Sequence, residues 1–281
     1  MDKELINSRI GGGNTSRPSI KWLASLRGLM VFLVFFSHLT ELPIDKDLMF
    51  VFGRIGVAGF FLMSGYLAVT SVERRTWRQF AINRFLRIYP IFWLLMTATV
   101  LLQWPENSIV QWAANMTLFN EYLGQGNVLG ASWMLSIMIV FFAILMFCKR
   151  NTKRLIDVAF WLMCVGALIL GALRMTTGKP FPTAFCLLQL VGLIGWMINT
   201  GKEKLWIHVI VFERILAVGS YMSYGEAVVR YMIAYNLGML TFWTFRKWDV
   251  QIYAFEKLGA LGFTFFLGAG IPMLVLGKFV D

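Results

Sequence analysis

Residues 21–42 read KWLASLRGLMVFLVFFSHLTEL, an apolar stretch in which Arg27 and His38 are the only charged or titratable side chains between Leu23 and Leu39. In an α-helix, eleven residues turn through about 1100°, close to three full turns, so the two side chains share one face about 16 Å apart. A charged group inside an apolar span is costly and usually faces a protein interior or a water-filled cavity. The spacing therefore indicates the two ends of one polar path. The simpler alternative is that Arg27 extends to the lipid headgroups and His38 only ends the helix.

The composition of the whole chain is that of a membrane protein. Its 281 residues are 58% hydrophobic and 15% charged, whereas a soluble domain is usually about 45–50% apolar and about 25% charged. Long apolar runs recur along the sequence, which predicts an all-α, polytopic transmembrane helical bundle. The cysteines Cys148, Cys164 and Cys186 show no ligand spacing, so neither a metal site nor a disulfide framework is expected.

We predict about nine spans that form a single transmembrane domain over residues 22–281, after a flexible cytoplasmic tail over residues 1–21. With these spans, 18 of the 26 basic residues fall on the side of the N-terminus, which identifies that side as cytoplasmic. In the longest connection, about 105–130, the semi-apolar piece Ile109–Phe119 either lies along the interface or folds back into the bundle. The predicted spans are 22–40, 48–70, 84–104, 131–148, 155–173, 183–199, 205–222, 228–245 and 258–278.

Several polar residues are predicted to lie together near the cytoplasmic surface. Arg84 and Arg87 are spaced i, i+3 and therefore share a helix face at a depth close to that of Arg27. Guanidinium groups offer fixed, bidentate donors that suit phosphate groups. Ser64 and Tyr66 lie at a similar depth in the second span. The alternative for the arginines is simple anchoring to anionic lipid.

A second group of polar residues is predicted near the outer surface. His38 and Glu41 are spaced i, i+3 on one helix, so the carboxylate is positioned to orient or charge the imidazole. A histidine that titrates near neutrality is a natural general base for activating a hydroxyl. Arg54 lies at a similar depth, as do Trp133 and Ser136 at the start of the fourth span.

The seventh predicted span carries three further polar groups. Glu213 and Arg214 are adjacent and therefore point to different sides of their helix, so each is predicted to pair with another span. His208 lies at the cytoplasmic start of the same span, and we interpret it as structural.

Four motifs together resemble the acyltransferase 3 family of membrane O-acyltransferases. The resemblance implies transfer of an acyl group, usually acetyl, from cytoplasmic acetyl-CoA to a sugar hydroxyl of a surface polysaccharide or its lipid-linked precursor. It also implies that Arg27, Arg84 and Arg87 lie on the CoA side and that His38 is the catalytic base. The motifs are Arg27 and His38 with ten residues between them, GVAGFFLMSGYL at 56–67, RFLRIYP at 84–90 and SWMLS at 132–136.

From these motifs we predict the full site. We expect His38, Glu41 and Arg54 to be catalytic, and Trp133 and Ser136 to bind the acceptor. Acyl-CoA, the glycan acceptor and the lipid bilayer are the expected partners, in a bacterial cytoplasmic membrane, with no metal and no nucleic acid. The residues expected to bind the acyl-CoA are Arg27, Ser64, Tyr66, Arg84 and Arg87.

The sequence departs from the family pattern at three positions. Met138 stands where many members carry a glutamate, and Ala58 where many carry an aspartate. In the last span, residues 258–267 resemble a family motif, but the histidine that often follows that motif is missing, with glycine and alanine at 268–270. Two alternatives therefore stay open: a transporter or flippase of a lipid-linked glycan, in which the polar path carries a substrate, and a catalytically silent membrane partner.

Overall fold

The computed structural model describes residues 20–38, 45–102, 109–120, 125–129, 132–148, 152–179 and 181–268, and within these ranges it is helical without a β-strand. One turn of 3₁₀-helix, Gly225–Ala227, precedes the ninth α-helix. The α-helices are α1 (Lys21–Ser37), α2 (Lys46–Arg74), α3 (Trp77–Leu102), α4 (Ile109–Met116), α5 (Ser132–Cys148), α6 (Thr152–Thr177), α7 (Thr183–Thr200), α8 (Leu205–Tyr224), α9 (Val228–Trp248) and α10 (Tyr253–Gly268).

Five of these helices, α2, α3, α6, α7 and α8, are long and apolar enough to cross a membrane, and α5 is a shorter apolar helix. The prediction of an all-α, multi-pass membrane protein is thereby confirmed, while the count of nine spans and the cytoplasmic N-terminus stay predictions. The predicted tail lies almost entirely outside the described residues. The third helix begins at Trp77 and the last at Tyr253, earlier than predicted, because an apolar run marks the part of a helix inside lipid and not its polar first turns.

Helix α2 is the centre of the bundle and contacts α1, α3, α5, α7 and α9. Its contact with α7 depends on glycines: a Cβ on Gly65 would overlap the carbonyl of Gly192, and a Cβ on Gly195 would overlap the carbonyl of Leu62. Helices in lipid associate mainly through close packing, which small residues allow because the backbones can approach each other. Backbone contact therefore fixes the position of α2.

The last described helix, α10, packs along α1. A Cβ on Gly259 would overlap the carbonyl of Ala24 and lie 3.0 Å from the backbone nitrogen of Gly28. The start of α10 is held by Ser25, whose hydroxyl oxygen accepts a hydrogen bond from the backbone N–H of Ile252 at 2.9 Å. This packing brings α10 against the Arg27 side of α1.

The connection between α3 and α5 folds back against α3. The hydroxyl of Tyr89 donates to the carbonyl of Thr117 at 3.1 Å, and the indole N–H of Trp93 donates to the carbonyl of Met116 at 2.9 Å. Tyr89 lies in the middle of α3, so the end of α4 reaches the middle of that helix. Of the two alternatives for Ile109–Phe119, the structure therefore favours the folded-back one.

Candidate active site

A basic cavity of about 150 Å³, here the inner cavity, lies between α1, α2, α3, α5 and α10. Four of the residues predicted for the cytoplasmic layer line it: Arg27, Ser64, Arg84 and Arg87. Among the described lining residues none is acidic. The inner cavity therefore has the electrostatics of an anion site, with three guanidinium groups converging from two helices.

The guanidinium of Arg84 is held between two aromatic rings. It lies 5.0 Å from the ring centre of Phe80 and 4.3 Å from that of Phe142, both within cation–π range. The rings shield part of the cation from lipid and restrict its rotamers. Arg87, in contrast, is exposed, so it is the arginine of this cluster most open to an approaching ligand.

Tyr66 does not line the inner cavity, although the sequence predicted it beside the arginines. Its ring packs 6.0 Å from Trp22 and 5.5 Å from Phe242, measured between ring centres. The guanidinium of Arg246 lies 5.4 Å from the same ring. Tyr66 therefore packs α2 against the start of α1 and the end of α9.

A second cavity of about 210 Å³, here the outer cavity, lies between α1, α2 and α5. Its polar lining comes from Ser37, His38, Arg54 and the Trp133 indole. Three of the residues predicted for the outer layer are thus brought together. Glu41 lies outside the described residues.

The imidazole of His38 is oriented by its own helix. Its Nδ1 lies 2.7 Å from the carbonyl oxygen of Val34 and 3.3 Å from the hydroxyl of Ser37. A carbonyl can only accept, so Nδ1 carries the proton and donates it, which leaves the lone pair of the neutral ring on Nε2. Within the described part of the chain, Nε2 has no hydrogen-bond partner, so it is available to accept a proton.

Arg54 is surrounded by aromatic rings. Its guanidinium carbon lies 4.9 Å from the ring centre of Phe50, 5.4 Å from Trp133 and 5.2 Å from Tyr231. No described carboxylate lies within ion-pair distance of it. Its charge is therefore available to a negative group that enters the outer cavity.

Ser136 lies outside both cavities, although it was predicted to bind the acceptor. Its hydroxyl donates to the carbonyl of Ser132 at 3.3 Å, and the residue is only 1% exposed. This is a hydrogen bond within one helix, and it gives Ser136 a local structural contact.

One face of α2 lines both cavities. Gly53 and Val57 line the outer cavity, and Phe60, Ser64 and Leu67 line the inner one. Successive members are three or four residues apart, so they form a single stripe on the helix. The two cavities are consequently stacked along α2, with about one helical turn between them.

The helices α1 and α5 repeat this arrangement. On α1, Arg27 lines the inner cavity and Val34 the outer one; His38, the residue directly after α1, also lines the outer cavity. On α5 the boundary between the two cavities lies between adjacent residues: Trp133 lines the outer cavity and Met134 lines the inner one. The predicted shared face of Arg27 and His38 is thus observed, and each residue lines one of two adjoining cavities.

Sequence reasoning missed the aromatic residues around the two arginines and the contribution of α10 to the inner cavity. Gly259, Ala260 and Gly262 line that cavity, and a Cβ on Gly262 would lie 3.5 Å from Cδ of Arg27. A run of small residues in an otherwise bulky span is the signal that predicts such close packing. The aromatic residues carried no distinctive spacing.

The family model of acyltransferase 3, described as an acyltransferase domain, matches residues 20–279. The chain belongs to the acyltransferase 3 family. It is therefore a membrane acyltransferase, and the match extends the resemblance from the four motifs to nearly the whole chain. No curated protein and no solved structure matches it.

Two of the departures from the family pattern lie in described parts of this acyltransferase. Met138 lines the inner cavity together with the three arginines. Where many family members carry a glutamate, this cavity therefore has an uncharged thioether. Ala58 is 1% exposed and its Cβ would lie 3.1 Å from a Cβ on Gly238. At this position α2 therefore packs closely on Gly238 of α9, and the buried side chain there is a methyl group instead of a carboxylate.

Proposed function

We propose that this acyltransferase moves an acyl group, usually acetyl, from cytoplasmic acyl-CoA to a sugar hydroxyl of a surface polysaccharide or its lipid-linked precursor. The observation that carries the proposal is the pair of adjoining cavities on one face of α1 and α2. The inner cavity is lined by Arg27 and its partner arginines, and the outer one by His38. A donor with phosphate groups and an acceptor that needs a base thereby have neighbouring sites.

The donor site uses the inner arginines. Arg27, Arg84 and Arg87 bind the phosphate groups of CoA, since guanidinium pairs with phosphate through two parallel hydrogen bonds. At about 150 Å³ the cavity is smaller than the roughly 300–1,000 Å³ that encloses a drug-sized ligand. It therefore takes the slender pantetheine arm, while the nucleotide stays outside near the exposed Arg87.

The chemical step takes place at the outer cavity. Nε2 of His38 accepts the proton of the sugar hydroxyl as the oxygen attacks the thioester carbonyl. Arg54 stabilises the negative charge that forms on the carbonyl oxygen. The carbon–sulfur bond then breaks, the imidazolium returns the proton to the CoA sulfur, and the products are an O-acyl sugar and free CoA. To reach His38, the acyl end of the donor passes the turn of α2 between Val57 and Phe60.

The Arg27→Ala variant tests the donor site. We expect a rise of about tenfold or more in the KM for acyl-CoA with a smaller change in kcat, because a phosphate contact is lost. The measurement is the initial rate at varied acyl-CoA in proteoliposomes. The matched control is Arg78→Ala on α3, since Arg78 does not line the inner cavity; an unchanged KM for Arg27→Ala would remove this residue from the donor site.

The Trp133→Ala variant tests the acceptor site. Because the indole forms one wall of the outer cavity and packs against Arg54, we expect the KM for the glycan to rise about tenfold while the KM for acyl-CoA stays the same. Trp161→Ala on α6, also an indole and 48% exposed, serves as the control. A rise in the donor KM alone would contradict the assignment of the two cavities.

The function itself is tested with the purified protein in vesicles that contain labelled acetyl-CoA and an acceptor glycan. In the vesicles we expect label in the glycan. In cells, the mass of the surface glycan should show a loss of acetyl groups when the gene is removed. Movement of a lipid-linked glycan across the vesicle without transfer of label would replace the proposal with transport.

A further inference from the structure

Arg54 is held in the outer cavity by aromatic rings that come from three helices. Phe50 lies one turn before it on α2, Trp133 lies on α5 and Tyr231 lies on α9. A carboxylate partner would occupy the N–H donors of the guanidinium and cancel its charge. An aromatic ring attracts the cation through its negative face and adds no opposite charge. Arg54 therefore keeps its charge for a group that enters the cavity.

Tyr231 differs from the other two rings because it does not line the outer cavity. Phe50 and Trp133 are lining residues, so a variant of either also changes the space that is open to the acceptor. The ring centre of Tyr231 is 5.2 Å from the guanidinium carbon of Arg54, yet the residue is only 3% exposed. Tyr231 therefore affects a ligand in this cavity through Arg54 and not by direct contact.

The ring of Tyr231 is itself fixed on two sides. Phe50 packs on it in a T-shaped arrangement, with 5.2 Å between ring centres and 77° between the planes. Tyr224, the last residue of α8, stacks on it at 4.4 Å with 13° between the planes. The guanidinium of Arg174, near the end of α6, lies 4.8 Å from the ring centre of Tyr224. A ring packed on two sides cannot turn freely, so Tyr231 presents a fixed surface to Arg54.

An ion pair joins the beginning of α9 to the beginning of α2. Arg230, the residue directly before Tyr231, pairs with Asp47 in the first turn of α2. Arg54 lies seven residues after Asp47, which is close to two helical turns and therefore the same side of α2. The ion pair and the rings thus hold the start of α9 against the part of α2 that carries Arg54.

We propose that Tyr231 is a positioning residue for acyl transfer, whose ring holds the Arg54 guanidinium where negative charge forms on the thioester carbonyl oxygen. This inference rests on the proposed role of Arg54 in the outer cavity. A preorganised charge stabilises the transition state without having to move during the reaction, and a misplacement of about 1 Å can cost a factor of about 10² in rate. The ring therefore acts on kcat and leaves the binding of both substrates unchanged.

Replacement of the ring tests this role. Tyr231→Leu should lower kcat about tenfold or more and leave the KM values for acyl-CoA and glycan within about twofold, whereas Tyr231→Phe should retain the rate because the ring remains. The matched control is Tyr221→Leu on α8, a tyrosine that is 62% exposed and should change neither constant. A Tyr231→Phe variant as slow as Tyr231→Leu would overturn the proposal.

A fluorinated series separates an electrostatic contact from packing. Phenylalanine with one, two or three ring fluorines is inserted at position 231 by nonsense suppression. The shape of the ring stays almost the same, while each fluorine weakens the negative charge on its face. We expect kcat to fall at each step, and the same series at Tyr221 should leave kcat unchanged. A kcat at position 231 that is independent of fluorine number, in protein that inserts normally, would overturn the proposal.

Removal of Arg54 tests whether the ring acts through the guanidinium. In the Arg54→Leu background, Tyr231→Leu should lower kcat no further, since coupled residues are not additive. A second loss as large as in the wild-type background would overturn the positioning role. Wild-type protein that transfers no label would reject the proposed function together with this role, whereas an active wild type with a flat fluorinated series would reject this role alone.

Discussion

Replacement of His38 by alanine is expected to lower the rate of acyl transfer by a factor of about 10²–10⁴, the range that general acid–base catalysis contributes. The reason is the orientation of the ring: Nδ1 donates to the carbonyl of Val34 at 2.7 Å, so Nε2 is the basic atom of this residue, which lines the outer cavity. The measurement is kcat at saturating donor and acceptor in proteoliposomes. A His38→Ala variant that inserts and transfers at full rate would reject the mechanism.

Two further variants separate the base from a structural contact. In His38→Asn the amide N–H can still donate to Val34, but no basic nitrogen remains, so we expect the same loss of rate with the helix end preserved. His208 is the other histidine of the chain; its Nε2 lies 3.2 Å from a carboxylate oxygen of Asp157 and its ring 4.9 Å from Phe160. His208→Ala should retain the chemical step, in keeping with its predicted structural role.

The Gly65→Ala substitution is expected to disrupt the centre of the bundle. The added Cβ would overlap the backbone carbonyl of Gly192, and backbone, unlike a flexible side chain, cannot turn away. Overpacking of this kind typically costs about 1–3 kcal/mol, occasionally more. Ser64, the residue directly before Gly65, lines the inner cavity. We therefore also expect the rate of acyl transfer to fall as α2 and α7 separate.

The matched control is Gly219→Ala on α8. There the nearest atom to the added Cβ is the Thr183 methyl at 3.6 Å, an ordinary contact, and alanine favours a helix over glycine by about 1 kcal/mol. Unfolding can be followed with a thiol-reactive dye, because Cys148, Cys164 and Cys186 are buried in the folded protein. We expect the midpoint of unfolding to fall for Gly65→Ala and not for Gly219→Ala. Equal unfolding midpoints for the two variants would contradict the tight contact at Gly65.

The helical period explains what the sequence predicted correctly. The shared face of Arg27 and His38 follows from eleven residues at about 100° each, and α1 is an unbroken helix over Lys21–Ser37. The same local geometry separates Glu213 from Arg214 on α8. These predictions depend only on the backbone of one helix, so they need no knowledge of its neighbours.

Which helix each face contacts was decided by the tertiary structure. Tyr66 belongs to the same motif as Ser64, yet it packs on Trp22 and Phe242 instead of joining the arginines. Glu213 found the predicted partner span through Asn236, whereas Arg214 found none within the described chain. A single sequence gives the direction of a side chain on its own helix but not the neighbour that this face meets.

The sequence by itself determined that this is a helical membrane protein with a basic group and an imidazole aligned on its first helix, because composition and helical period are local properties. Only the tertiary structure decided that these groups line two adjoining cavities and that α10 helps to enclose the inner one. The physical reason is that backbones meet at glycines such as Gly28 and Gly65. Contacts between segments distant in sequence, and not any local pattern, therefore set the geometry of the site.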